Sequence, residues 1–373
     1  MKPTGITSDT LDHYEHPRGV AELFGHIEAE RVLLDAFYSG RLAHAWLLSG
    51  PKGVGKATLA YRFARFLLAQ PVGIKDSVLF GNELSDVKSK SLFVERDHPV
   101  FRRIAAGSHA DLMSVERRFD DKKGKFKNEI IIDDIRTIVN FFSLSAAEGG
   151  WRVVIIDCAD EMNSNAANAL LKALEEPPPR AILLLIAHNY RSLLPTIRSR
   201  CRKLSLSSLN EEIMVKLLLE YHPEMLPSDA ISLAHLSEGS IGRALDLEVE
   251  GGLELYNDLF NLLETLPSLN VEKLHILAGK LGRIGGNNAF YTFCDLFMGW
   301  LSRLIIRIAK GDEEANNNET ILQVRLSSNT TLASWLEVWD KVSVLFARTD
   351  TINMDRRQII ISVFLLLEKT VQK

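Results

Sequence analysis

Two short stretches carry residues whose types and spacing can do chemistry. In "SGPKGVGKAT" (49–58), Gly50, Pro51, Lys52, Gly53, Val54, Gly55 and Lys56 spell G-x-x-x-x-G-K, followed by Ala57 and Thr58. A loop of this kind between a strand and a helix aims backbone N–H groups at phosphate oxygens, while its lysine neutralises phosphate charge. Ala57 stands where such loops place the serine or threonine that holds Mg²⁺. Thr58 lies about 100° further round the helix and points elsewhere. The second stretch, "WRVVIID" (151–157), is an apolar run ending in Asp157, as a buried parallel strand with a carboxylate at its C-terminal edge would read. ATP sites often follow that aspartate with a glutamate that polarises the attacking water, but here the neighbour is Cys158. Glu161, four residues on, reads as a solvated or capping carboxylate. Both departures weaken hydrolysis and leave the phosphate-binding backbone intact. The expectation is a site that holds ATP or ADP with little or no turnover, and Ala57 argues against Mg²⁺.

The elements that must position these groups are legible as alternating patterns. Ala29–Tyr38 is an amphipathic helix, Ala45–Leu48 a short strand, and Leu59–Ala69 a helix after the loop. Leu112–Glu116 and Glu129–Ile132 read as the arms of a hairpin around the lysine-rich turn Asp120–Lys127, with a helix at Asp134–Phe142. "SNAANALLKALEE" (164–176) is a helix stopped by Pro177–Pro179, and "AILLLIAHN" (181–189) a second buried strand. The fold class is therefore an α/β P-loop domain with a mostly parallel sheet. Downstream the sequence turns helical, through short helices over 209–247 and amphipathic stretches at Leu253–Leu266, Val271–Leu281, Phe290–Ala309, Leu332–Phe346 and Arg356–Lys369. The polar stretch 310–320 reads as a solvated loop.

Composition narrows the function class. A net charge of −4 gives no general footprint for nucleic acid or an anionic membrane, so any DNA contact is local or supplied by partners. Cys158, Cys201 and Cys294 form no C-x-x-C pair, and no cysteine lies between Ala57 and Asp157, so no zinc module is expected. No apolar run reaches the roughly 18 residues of a membrane span and the first residues lack a signal-peptide core, which points to a cytoplasmic protein. His44, His109 and His188 lack metal-ligand spacing, and Trp335 and Trp339 mark one face of a helix.

The stretches "HAWLLSGPKGVGKATLA", "VVIIDCADEMNSNAANALLKALEEPPP" and "LLPTIRSRCRKLSL" closely resemble the clamp-loader ATPases of bacterial replication, within the AAA+ superfamily, with the alphaproteobacterial forms nearest. The resemblance spans about residues 20–250. It implies an AAA+ domain over 1–206, a small helical lid over 207–250 and an all-helical collar over 251–373. It also implies a hetero-pentamer with motor subunits and a clamp-opening subunit, acting on a sliding clamp and primed DNA. The family's Ser-Arg-Cys motif is Ser199-Arg200-Cys201 here, which makes Arg200 the arginine offered in trans to a neighbour's ATP. Ala57 and Cys158 depart from the motor members. Asn189 lies near the family's polar phosphate sensor, and Gly242 replaces the lid arginine of motor subunits, with Arg243 one position along. The resemblance thus implies a non-motor member. An active motor-type ATPase, with Thr58 or water serving Mg²⁺, and an interaction protein with an empty loop are the competing readings.

Overall fold

The computed structural model describes residues 16–70, 89, 91–120, 125–127, 129–282, 287–312, 317–328, 330–349 and 355–372. These fall into two compact units, one of residues up to 223 together with 238–243, the other of 224–237 together with residues from 244 onward.

In the first unit, α1 (Ile27–Tyr38), β1 (Ala45–Ser49) and α2 (Lys56–Leu68) run in the order expected around the phosphate loop. After α3 (Pro99–Ala105) come β2 (Leu112–Val115), the short pair β3 (Phe119–Asp120) and β4 (Lys125–Phe126), and α4 (Ile132–Ser143). The strand β5 (Arg152–Ile156) is followed by α5 (Ser164–Glu175), β6 (Ala181–Ala187), the single turn α6 (Pro195–Arg198), the edge strand β7 (Arg202–Ser205) and α7 (Glu211–Tyr221). The main sheet has the order β2-β5-β6-β1-β7, and every pairing in it is parallel. This is the mostly parallel α/β sheet expected around the phosphate loop.

Strand alternation explains the layers. Along β5, Val153 and Ile155 join one apolar cluster with Leu33, Phe63 and Ile104, whereas Val154 and Ile156 join another with Ile138, Leu170 and Ile197. Successive side chains point to opposite faces of a strand, so a sheet covered by helices on both faces needs an unbroken apolar run. The first face carries α1, α2 and α3, and the second α4, α5 and α6.

The hairpin expected of Leu112–Glu116 and Glu129–Ile132 is corrected. Leu112–Val115 pairs in parallel with β5 at the sheet edge, and Ile130 makes only an isolated bridge to Met162. The reason lies in burial on both sides: Leu112 packs on the first cluster, Met113 and Val115 on the second, which suits a sheet strand rather than a free hairpin. Among the described residues, an antiparallel pair forms between Phe119–Asp120 and Lys125–Phe126. Lys122 and Lys123, within the expected lysine-rich turn, lie outside the described residues.

The second unit is helical: α8 (Pro227–Leu236), most of α9 (Ile241–Val249), α10 (Gly252–Leu263), α11 (Val271–Leu281), α12 (Asn287–Lys310), α13 (Asn318–Ser327), α14 (Leu332–Arg348) and α15 (Arg356–Val371). By length and composition α12 is apolar enough to cross a membrane. Its Phe290, Phe293, Phe297 and Trp300 are fully buried, and the Phe297 ring meets those of Phe346 and Phe364 at 6.0 Å. Edge-on packing of this kind gives an aromatic core its specific geometry. Trp335 is buried with its indole N–H on Thr330 (2.7 Å), whereas Trp339, one turn on, is 37% exposed. Part of the stretch read as a solvated loop at 310–320 is helical, since α13 begins at Asn318 behind an Asn317–Thr320 capping box.

Candidate nucleotide-binding site and edge arginine

The phosphate loop leaves the buried strand β1 and closes at Gly55, the N-cap of α2. Its glycines are dictated by space and by backbone angle. A Cβ on Gly50 would lie 2.2 Å from the Leu206 carbonyl oxygen, and one on Gly53, whose φ is 75°, would lie 2.4 Å from Ser240 Oγ. Gly55 brings no capping side chain to the N-terminus of α2, so its partial positive charge faces the loop. Val54 is buried, Pro51 and Lys52 are exposed, and Ala57 and Thr58 are half-buried in the first turn.

Lys56 is folded into the loop it closes. Its Nζ donates to the Gly50 carbonyl (2.8 Å) and the Pro51 carbonyl (2.5 Å) and is buried. Burial lowers its pKa to about 8, against the opposing pull of Asp157, Cys158 and Asp160. The ammonium is still charged at neutral pH, so it retains the charge a phosphate needs. No hydroxyl at position 57 is present to hold Mg²⁺; the loop suits phosphate oxygens and supplies the metal no ligand of the usual kind.

Asp157 follows β5 and is raised in pKa by burial, an effect opposed by the Cys158 N–H (2.9 Å) and by Lys56. Cys158 sits at φ 56°, a left-handed conformation that turns the chain sharply into a 3-10 turn at 159–161. Burial first, then the nearby carboxylates, push its thiol far up, so it stays protonated and cannot serve as a general base. The turn carries Glu161 to Arg117, whose Nε it meets at 2.8 Å, and that ion pair accounts for it. Asp160 accepts the backbone N–H groups of His188 (3.2 Å) and Asn189 (2.8 Å) and so ties this turn to the end of β6.

Asn189 is exposed, its carboxamide oxygen taking the Arg191 N–H at 3.0 Å. The side chain that β6 brings to the site is His188, with Nε2 3.4 Å from Cys158 Sγ. Burial, then the Lys56 charge, lower its pKa to about 4, which keeps the imidazole neutral. Two further residues escaped sequence reasoning. His26 Nε2 meets the Val54 carbonyl at 2.6 Å, and Ser240 Oγ donates to the Lys52 carbonyl at 2.7 Å. The Gly242 N–H adds a bond to the Gly53 carbonyl at 3.0 Å, so the segment 240–242 braces the loop with one side-chain and one backbone donor. No spacing rule links positions 26 or 240 to the loop; the G-S-x-G pattern at 239–242 was the one available hint. Arg243 is directed to Glu238 (3.7 Å).

Arg200 lies elsewhere. Register places Arg202 opposite Trp46 and Ser205 opposite Ser49. The loop therefore springs from the C-terminal edge of the sheet and Arg200 from the N-terminal edge, at least three strand residues or about 10 Å away along the strands. The residue is exposed; its Nη2 pairs with Glu175 at 2.8 Å and its Nη1 donates to the Thr196 carbonyl at 3.0 Å. Its neighbours are spent on rings, Arg198 over Tyr190 and Arg202 over Trp46.

The family described as "DNA polymerase III, delta subunit" matches residues 25–210. The DNA polymerase III subunit delta' of Pseudomonas aeruginosa is 40% identical over 159 residues, which cover 43% of this chain and 42% of that protein. The subunit delta' of Yersinia pestis is 31% identical over 269 residues, covering 67% of this chain and 72% of that protein. The subunit tau of Escherichia coli is 29% identical over 241 residues, covering 62% of this chain and 32% of that protein. The chain thus spans about two-fifths of the Pseudomonas protein and a third of tau. With the phosphate loop, Asp157 and the Ser199-Arg200-Cys201 edge all inside the matched residues, the chain belongs to the DNA polymerase III delta' subunit family.

Proposed function

We propose that this chain is the non-motor, delta'-type component of a clamp loader. In that reading it assembles with motor subunits and a clamp-opening subunit into a hetero-pentamer that places a sliding clamp on primed DNA in the cytoplasm. An AAA+ domain (1–206), a lid (207–250) and a collar (251–373) are part of the proposal. Its own site binds ATP or ADP through Gly50–Thr58 and Asp157 and turns it over slowly or not at all, and Arg200 serves a neighbour's triphosphate.

The observation that carries this reading is the placement of Arg200 on the edge of the sheet opposite its own loop. An exposed arginine there has no route to its own nucleotide, whereas a guanidinium presented to a partner can stabilise charge developing on a transferring phosphoryl group. Ala57 and the protonated Cys158 support the second half of the reading, because neither the metal-holding hydroxyl nor the water-activating base is in place. The test is turnover by the purified chain alone. ATP hydrolysis indistinguishable from a blank is expected; steady turnover abolished by Lys56→Ala would make the chain a motor.

A second reading, with the loop holding no nucleotide, is favoured by the two bonds that Lys56 makes to Gly50 and Pro51. It forecasts no binding of a fluorescent ATP analogue. The first reading forecasts saturable binding that Lys56→Ala weakens.

A further inference from the structure

We infer that Glu175 is a positioning residue for Arg200, an inference that rests on the trans-acting role proposed above. Glu175 is the last residue of α5, which Pro177 and Pro178 bring to an end, and Arg200 follows directly on the C-cap of α6. Leu174 and Ile197 are buried in one apolar cluster, so the ends of the two helices are fixed against the same face of the sheet. Between those fixed ends the guanidinium is held at two points, by the Glu175 carboxylate at 2.8 Å and by the Thr196 carbonyl at 3.0 Å.

An arginine has five N–H donors in a rigid fork. Among the described residues Thr196 and Glu175 engage two of them, which leaves others for an incoming anion. A free arginine side chain loses considerable rotamer freedom when it docks; one already tethered loses less. Donors aimed beforehand at the place where charge develops are worth most in a transition state, because they need no reorganisation. The carboxylate thus fixes the aim of Arg200 while leaving a donor edge exposed. Its neighbour Glu176, beyond the end of the helix, makes no such contact among the described hydrogen bonds and ion pairs. The contrary arrangement, in which Glu175 competes with the phosphate and holds Arg200 back, carries the opposite sign and is an outcome of the test.

The experiment uses the chain reconstituted with its motor and clamp-opening subunits, comparing wild type, Glu175→Ala, Glu175→Gln, Arg200→Ala and the double variant in steady-state ATPase assays. The quantity read is the portion of turnover that Arg200→Ala removes. Glu175→Ala is expected to cut the kcat of that portion by about two- to fivefold, the range of an exposed ion pair, with KM unchanged. Glu175→Gln, which keeps an acceptor oxygen, should retain part of it, and the double variant should match Arg200→Ala alone. If Arg200→Ala is slow while Glu175→Ala runs at or above the wild-type rate, the positioning role is overturned and the trans-arginine reading survives. An equal loss from Glu175→Ala in the Arg200→Ala background also overturns it, because the effect then bypasses the arginine. A complex indifferent to Arg200→Ala overturns both.

Discussion

At the scale of single residues, the site is built by what is missing as much as by what is present. Gly50 and Gly53 are fixed by the space around them, Lys56 by its two carbonyl partners, and Asp157 by the Cys158 N–H. The two positions that would drive hydrolysis hold an alanine and a thiol that stays protonated. Gly53 gives the sharpest stability test. Its φ of 75° strains any side chain, and a Cβ would press on Ser240 Oγ at 2.4 Å. Gly53→Ala should therefore destabilise the chain by about 1–3 kcal/mol in urea unfolding, a loss that Ser240→Ala in the same chain partly relieves. These glycines, Lys56 and Asp157 were legible in the sequence because their spacing is the chemistry. His26 and Ser240 were not, because three-dimensional closure brings them to the loop from distant segments, and His188 was not, because closure sets it beside Cys158 on another strand end.

At the scale of elements, legibility tracked hydrophobic pattern. The unbroken runs of β5 and β6 and the periodic α11 and α15 could be read directly, since burial on two faces or on one stripe leaves a strong signature. The strand β7 could not, because only Leu204 of its four residues is buried and the rest reads as surface. The helix α13 was hidden for a different reason. It is polar overall, and much of what holds it is the carboxylate of Glu319, which meets Arg303 Nε at 2.8 Å, Tyr256 OH at 2.5 Å, Gln323 at 3.1 Å and His235 at 3.4 Å. Burial pushes that carboxyl up, but these donors outweigh it and hold its pKa at about 2, against an ordinary 4.5. For a carboxyl lowered on folding, the stabilisation is complete above the unfolded value and disappears as pH falls through the folded one. The link is thus worth about 3 kcal/mol at neutral pH, intact above pH 4.5 and lost progressively toward pH 2. Glu319→Gln should cost roughly 2–4 kcal/mol at pH 7, with a difference from wild type that shrinks as denaturation is followed down to pH 3.

At the scale of the whole molecule, the parallel sheet sets two groups of residues at its two edges. The C-terminal edge carries the phosphate loop, Asp157 and His188; the N-terminal edge carries Arg200 between two arginines stacked on rings of their own chain. In the reading proposed above, a polypeptide arranged in this way serves a neighbour's site, and the all-helical second unit is its collar. The measurement that tests this most directly is the ATPase rate of the reconstituted complex carrying Arg200→Ala in this chain, set beside the same complex carrying Lys56→Ala. Loss of turnover at the adjoining site by on the order of 10²-fold or more is expected with Arg200→Ala, and a rate within about twofold of wild type with Lys56→Ala. A complex that tolerates loss of the arginine, or that depends on Lys56 as heavily as on Arg200, would contradict the account.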